Sequence, residues 1–149
     1  MLSSALRART SLASKGSFLK PASFATFSSS EKPLVTITGL DGFVGPYVGL
    51  EFLKTGDYNV RATVRKNTDK SKMAEIKKAY GSLYQDMEIV EAELLEEDSM
   101  MKAIEGSTYV AHLASPYYLD NKTREELVEP AVNGTLGVMK ACSAWDVKR

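Results

Sequence analysis

The sequence predicts an α/β protein built on a doubly wound parallel sheet, cut short after about four strands in the order 3-2-1-4. Short apolar runs alternate with amphipathic helical segments along most of the chain. This alternation is typical of strand–helix–strand units, whose crossover helices make neighbouring strands parallel. A second observation is that the first apolar run leads directly into three glycines spaced three residues apart.

The first unit is predicted as a strand over Leu34–Thr38 and a helix over Phe43–Lys54. Gly39, Gly42 and Gly45 lie between them or at the helix start. Glycine allows a tight turn and a close approach of phosphates, and the free N–H groups of a helix start attract negative charge. This unit is typical of a Rossmann-type nucleotide site, and a purely structural turn is the alternative.

We therefore predict that a dinucleotide pyrophosphate binds the loop residues Gly39, Gly42, Phe43, Val44 and Gly45. Two features of the loop bear on this prediction. Asp41 adds a negative charge close to the expected pyrophosphate position. Pro46 lacks an N–H group, so the donors of Phe43 and Val44 are the ones that remain.

The second and third units follow the same pattern. We predict a strand over Asn59–Val64 and an amphipathic helix over Lys70–Tyr80, which Gly81 ends. A third strand over Met87–Ala92 precedes a short helix over Asp98–Glu105, capped by Asp98 or Ser99.

The last unit is predicted as a strand over Thr108–Ala114 and a helical segment from Thr123 onward. Pro130 is expected to open the long helix that runs to Trp145, because proline is tolerated only in the first turn. A fifth strand is expected to begin at residues 147–149, where the sequence ends.

Cations at the end of the second predicted strand indicate which dinucleotide binds. An NAD site normally presents an acidic residue there, to hold the ribose hydroxyls. This strand ends instead in Arg65 and Lys66, and Lys72 follows in the next helix. Because guanidinium and ammonium groups pair with a 2′-phosphate, we predict NADP rather than NAD. The alternative is a solvated charge cluster at a strand end.

Three segments resemble the extended short-chain dehydrogenase/reductases, within the NAD-dependent epimerase/dehydratase superfamily. They read VRATVR at 60–65, AHLASP at 111–116 and EPAVNGTLGVMKAC at 129–142. Within that superfamily they are similar to the branch of dihydroflavonol reductases, cinnamoyl-CoA reductases and yeast-type aldehyde reductases. The resemblance covers residues 34–149, so we expect the chain to contain only the N-terminal half of that fold.

The resemblance implies further contacts to the cofactor. It implies that Arg65 and Lys72 bind the 2′-phosphate and that Glu93 and Leu94 contact adenine, with Glu93 in place of the usual Asp. The segment that would line the nicotinamide-side ribose consists of Leu113, Ala114 and Ser115.

The resemblance also implies the chemistry, which is hydride transfer between NADPH and an aldehyde or ketone. In that family a serine and a Tyr-x-x-x-Lys pair act on the carbonyl, and they are expected beyond Arg149, so we assign no catalytic residue here. Tyr118 and Lys122 have the same spacing, but Pro116 and the polar residues between them indicate a loop. No metal site is predicted, and His112 and Cys142 are interpreted as packed residues.

Residues 1–32 have the composition of an organelle transit peptide. Residues 1–30 contain four basic residues, nine serines and no acid. Their apolar stretch is too interrupted for a signal peptide or a membrane span. We expect a leader addressed to the mitochondrial matrix, followed over 33–149 by part of an NADP-binding Rossmann domain. A plastid address or a disordered tail without an address is the alternative.

The formal net charge of the whole chain is zero, so the part that follows the basic leader is acidic. An acidic domain has no basic face for nonspecific contact with phosphates, and we expect no nucleic-acid partner.

Three hypotheses for the function remain open. The first is the cofactor half of a carbonyl reductase, which acts on a small carbonyl substrate only when a C-terminal half completes it. The second is a non-catalytic nucleotide-binding subunit of a mitochondrial assembly, and the third is a nonfunctional truncated product. An uncovered fourth strand would be an aggregation hazard, so a partner or a further segment is expected to cover its edge.

The leader prediction is tested by fusing residues 1–32 to a fluorescent reporter. We expect the fusion to enter mitochondria, and a control with Arg7 and Arg9 changed to Glu to stay outside, because import requires a basic, acid-free leader. A cytosolic reporter with the native leader would contradict the prediction, as would import of the control.

Overall fold

Four strands form one sheet in the order β3-β2-β1-β4, and all neighbouring pairs are parallel. A computed structural model of the chain describes residues 32–116 and 123–149. The strands are β1 (Leu34–Thr38), β2 (Asn59–Val64), β3 (Met87–Glu91) and β4 (Tyr109–His112). The helices are α1 (Gly45–Thr55), α2 (Lys70–Tyr80), α3 (Glu97–Ile104) and α4 (Arg124–Ala144), with a short 3-10 helix over Gly81–Asp86. The predicted fold class and strand order are confirmed.

The core has two parts because alternate residues of each strand point to opposite faces of the sheet. Val35 and Ile37 belong to a buried cluster with residues of α1 and α2, including Leu53 and Ile76. The second cluster joins α3 to α4 and contains Met100, Ala103, Ile104, Val138 and Ala141. Helices therefore pack on both faces of the sheet, as the alternating pattern predicts.

Arg61, in the middle of β2, links the sheet to the end of α3 by hydrogen bonds. Its Nη1 donates to the carbonyl oxygens of Ala103 at 3.1 Å and Glu105 at 2.7 Å, where α3 ends. Its Nε donates to Glu88 on the neighbouring strand at 2.7 Å. A cation at the C-terminal end of a helix satisfies carbonyl groups that have no partner within the helix.

The helical segment from Thr123 onward is confirmed, but the expectation that Pro130 opens the long helix is wrong. Helix α1 begins at Gly45 rather than Phe43. The structure begins α4 at Arg124 and places Pro130 inside it. Thr123 caps this helix reciprocally: its Oγ1 accepts from the N–H of Glu126, and its own N–H donates to the Glu126 carboxylate at 2.8 Å. This capping box starts the helix six residues before Pro130, and the helix accommodates the missing N–H of the proline.

The short helix α3 differs in the same way. Its N-cap is Glu96, which makes no side-chain cap, while Asp98 and Ser99 lie inside the helix. The Ser99 hydroxyl instead accepts from the N–H of Glu93 at 3.0 Å, and so holds the loop that follows β3.

The outer edge of β4 is paired near its start. The N–H of Lys148 donates to the carbonyl of Thr108 at 2.9 Å, and the N–H of Val110 donates to the carbonyl of Arg149 at 2.8 Å. The end of the chain thus lies where a fifth strand is predicted to begin. Within residues 32–116 and 123–149, no helix is long and apolar enough to cross a membrane.

Candidate functional site

The predicted site lies beyond the carboxyl ends of the strands, between β1 and β4. The order β3-β2-β1-β4 reverses its direction at β1, since β2 and β4 lie on opposite sides of it. Open α/β sheets bind ligands at such a point, where the loops after two neighbouring strands diverge. The loops after β1 and β4 are therefore the structural basis of the site.

The three loop glycines have different roles. Gly39 has a φ of +77°, and a Cβ atom there would lie 2.9 Å from the Cα atom of Ala114. A Cβ on Gly45 would overlap the carbonyl oxygen of Gly39 and lie 2.8 Å from the Cα atom of Leu40. The backbone therefore requires glycine at these two positions even without a ligand.

Gly42 is exposed, and a Cβ there would approach only the carbonyl oxygen of Gly39, at 3.1 Å. The N–H groups of Phe43 and Val44 make no backbone hydrogen bond among those found for the described residues. Val44 caps α1 without a side-chain bond, and the first turn contains no acid. An exposed glycine beside N–H groups that have no backbone partner fits a phosphate group.

Tyr80, at the end of α2, holds the start of α1 in place. Its hydroxyl donates to the carbonyl oxygen of Pro46 at 2.6 Å, and burial raises the pKa of Tyr80 to about 12. A Cβ on Gly49 would lie 2.6 Å from that hydroxyl. The helix start that follows the glycine loop is thus fixed by a buried contact with the neighbouring helix.

The carboxylate of Asp41 is paired with residues that follow β2. Its side chain is 5% exposed, and its Oδ2 accepts from Arg65 Nε at 3.0 Å and from Thr68 Oγ1 at 2.8 Å. Both partners follow β2, so the carboxylate is directed toward the end of that strand. The structure therefore pairs the negative charge that the sequence places near the pyrophosphate.

The predicted cations are only partly brought together. Arg65 is 65% exposed, and only its Nε is engaged by the described residues. Lys66 Nζ lies 3.4 Å from the Glu96 carboxylate. Lys72 is exposed in the first turn of α2, and no contact joins it to Arg65 within the described part of the chain. Arg65 is thus the cation that the structure fixes beside the glycine loop.

Glu93 and Leu94 follow β3 on the same side of the sheet. Glu93 Oε1 accepts from the N–H of Lys66 at 2.9 Å, so this carboxylate spans the gap to the end of β2. Leu94 packs against α4, where a Cβ on Gly134 would lie 2.6 Å from its Cγ. The longer side chain of Glu93 therefore reaches the residue next to Arg65.

Thr38 organises the loop after β4, and sequence reasoning missed it. Its Oγ1 accepts from the N–H groups of Leu113 at 3.0 Å and Ala114 at 3.1 Å, and lies 2.8 Å from His112 Nδ1. Because both lone pairs of the hydroxyl are used, we infer that its hydrogen bonds Nδ1 and that the imidazole proton is on Nε2. A buried polar residue ending an apolar strand is the signal that could have revealed it.

His112 is thus held as a neutral side chain, and burial lowers the pKa of this imidazole. Ser115 is exposed beyond the Thr38 contacts. Burial also raises the pKa of the Cys142 thiol, which packs against the α3–α4 cluster. Tyr118 and Lys122 lie outside the described residues. Among the residues described, no group of three or more potential metal ligands comes together.

Comparison with known proteins identifies the family. A family model described as NAD dependent epimerase/dehydratase matches residues 35–149. The chain belongs to this family. It is 37% identical over 123 residues to dihydroflavonol 4-reductase of Zea mays, covering 81% of this chain and 34% of the maize protein. It is 35% identical over 117 residues to cinnamoyl-CoA reductase CAD2 of Medicago truncatula, covering 78% of this chain and 35% of that protein.

Solved structures agree with this membership. Vestitone reductase from alfalfa is similar with a TM-score of 0.59 and 30% identity, covering 78% of this chain and 34% of that one. Pen from Bacillus thuringiensis is similar with a TM-score of 0.65 and 21% identity, covering 79% of this chain and 36% of the Pen chain. At this identity the similarity supports the fold alone. The chain spans about a third of the length of these relatives. The predicted family resemblance is confirmed.

The half-buried His112 makes the stability of the chain depend on pH. Its pKa is lower in the folded state than the ordinary value of 6.5, so the unfolded chain takes up the proton first as the pH falls. Relative to His112→Asn, we expect the wild-type free energy of unfolding to decrease below about pH 6.5, by at most ~1.4 kcal/mol per pH unit.

Urea unfolding of both proteins between pH 5 and 8 measures this difference. The asparagine amide can still accept a hydrogen bond from Thr38, so the comparison isolates the titration of the imidazole. A difference that stays constant with pH, or that favours the wild type in acid, would contradict a lowered pKa of the half-buried His112.

Proposed function

We propose that this chain forms the NADP-binding half of a carbonyl or alcohol oxidoreductase that transfers hydride between NADPH and an aldehyde or ketone. The observation that carries the proposal is the exposed Gly42 beside the free N–H groups of Phe43 and Val44. Arg65 lies beside this loop, tied to it through Asp41. The names of the maize and Medicago relatives support a reductase.

The residues of this chain fit the dinucleotide in stated roles. The N–H groups of Phe43 and Val44 bind the pyrophosphate, and Arg65 binds the 2′-phosphate through its free guanidinium edge. When bound, NADPH supplies the hydride. The Thr38 hydroxyl orients the segment that would line the nicotinamide-side ribose, by holding the backbone of Leu113 and Ala114.

The proposal assigns no catalytic residue to this chain. The carbonyl substrate and the residues that act on it belong to a C-terminal half such as the longer relatives contain. We also propose that the protein works in the mitochondrial matrix, which the basic, acid-free composition of residues 1–30 supports.

Gly42→Val tests the pyrophosphate site. A branched side chain above the loop would occupy the space of a phosphate, and we expect affinity for ADP-ribose to fall at least about 30-fold, which is ~2 kcal/mol. Calorimetric titration of the full chain measures this affinity. The new Cβ would lie 3.1 Å from the Gly39 carbonyl oxygen, so we expect a loss of thermal stability that is smaller than the loss in Gly45→Val, whose Cβ overlaps the same oxygen.

Gly45→Val provides the matched control in the same loop. Its Cβ would overlap the Gly39 carbonyl, so this variant should lose thermal stability whether or not a ligand is present. Retained ADP-ribose affinity in Gly42→Val would mean that the loop is only structural.

Arg65→Glu tests the choice of NADP. Reversing this charge should weaken binding of 2′-phospho-ADP-ribose at least about 30-fold, and binding of ADP-ribose less than about threefold, because only the former carries the 2′-phosphate. The same titration measures both ligands. Lys54→Glu, at the far end of α1, makes the same change of charge and should affect neither; equal losses for both ligands in Arg65→Glu would refute the assignment.

A further inference from the structure

We propose that Asp41 is a specificity-determining residue that narrows the preference of this site for NADP over NAD. Its buried carboxylate holds Arg65 in place. The same negative charge reduces the positive potential that would attract a 2′-phosphate. The inference rests on the proposed dinucleotide site and deepens it. It concerns the selectivity of that site between two forms of one cofactor.

The contact geometry supports the first half of the proposal. Asp41 is almost fully buried, while the side chain of Arg65 is 65% exposed, and the two meet through Oδ2 and Nε at 3.0 Å. Thr68 donates to the same oxygen at 2.8 Å, so the carboxylate is held from two sides. Arg65 is therefore anchored at Nε and can offer only its outer guanidinium edge to a phosphate.

The charges around the end of β2 support the second half. The four cations there are Arg65, Lys66, Lys70 and Lys72. The four carboxylates that contact or neighbour them are Asp41, Asp69, Glu93 and Glu96. The formal charges of this group cancel. From the sequence alone this site looks basic, because only the cations after β2 are visible. In the structure its net charge is close to zero, so its electrostatic attraction for a 2′-phosphate is weak.

The second oxygen of Asp41 supports binding of the unphosphorylated ribose. Oδ1 has no hydrogen-bond partner among the described residues, and no described side-chain oxygen is both fully buried and unpaired. Oδ1 therefore keeps some exposure to solvent, although the side chain as a whole is 5% exposed. A carboxylate oxygen near the end of β2 accepts hydrogen bonds from ribose hydroxyls, and a 2′-phosphate offers none.

The size of the effect follows from the charges. A 2′-phosphate on Arg65 is separated from the Asp41 carboxylate by little more than the guanidinium group. At a partly exposed site, one unit of like charge at that separation changes affinity by roughly threefold to tenfold. Removing the charge while keeping the hydrogen bond to Nε should therefore increase affinity for the phosphorylated ligand.

The test compares the full wild-type chain with Asp41→Asn, which retains an oxygen acceptor for Arg65 and Thr68. Titrations use 2′-phospho-ADP-ribose and ADP-ribose at low and at high salt. We expect Asp41→Asn to bind the phosphorylated ligand threefold to tenfold more tightly and ADP-ribose no more tightly. The gain should shrink at 0.5 M salt, since screening weakens the charge interaction between exposed groups.

Asp57→Asn is the matched control, because Asp57 precedes the amino end of β2, away from the carboxyl ends of the strands, and the substitution removes the same charge. It should leave both affinities unchanged. Asp41→Ser is the second variant should Asp41→Asn unfold, and circular dichroism establishes folding of each.

Weaker binding of the phosphorylated ligand by folded Asp41→Asn would mean that Asp41 only positions Arg65, and would overturn the proposal. Unchanged binding of both ligands would overturn it as well. If the wild-type chain binds neither ligand, the proposed function fails; if it binds ADP-ribose and Asp41→Asn leaves the ratio unaltered, only this inference fails.

Discussion

The buried hydroxyl of Thr38 is the interaction on which the site depends. It joins the end of β1 to the backbone that follows β4, across the point where the strand order reverses. This bond brings Ala114 so close to Gly39 that the loop tolerates no side chain there. The two loops that would enclose a dinucleotide are thus fixed relative to each other before a ligand binds, which reduces the conformational entropy lost on binding.

Local patterns were sufficient where one segment determines its own structure. The predicted bounds of β1, β2 and α2 agree with the structure, because apolar runs, an Asp N-cap and a C-terminal glycine are all signals within the segment. The role of Pro130 was predicted wrongly because proline was expected only in a first turn, whereas the Thr123–Glu126 capping box starts α4. Both signals were in the sequence, and the reciprocal hydrogen bonds decided between them.

The site was less predictable, since its contacts join residues far apart in the chain. The glycine spacing indicated a phosphate loop, but it did not show that Gly39 and Gly45 are required by backbone packing while Gly42 is exposed. The cations after β2 were visible, whereas the partner of Arg65 lies 24 residues away and could not be inferred from spacing. Pairing of charges depends on how the loops meet in three dimensions, which a one-dimensional pattern does not contain.

The close packing of Gly134 on Leu94 has a consequence for how the domain can change. The middle of α4 rests directly on a side chain that the family resemblance places at the adenine. A tilt of this helix, or a larger residue at Gly134, must displace Leu94, because interiors at this density do not compress. Substitutions along this face of α4 would therefore alter the position of Leu94, although no residue of the helix is itself assigned to the cofactor.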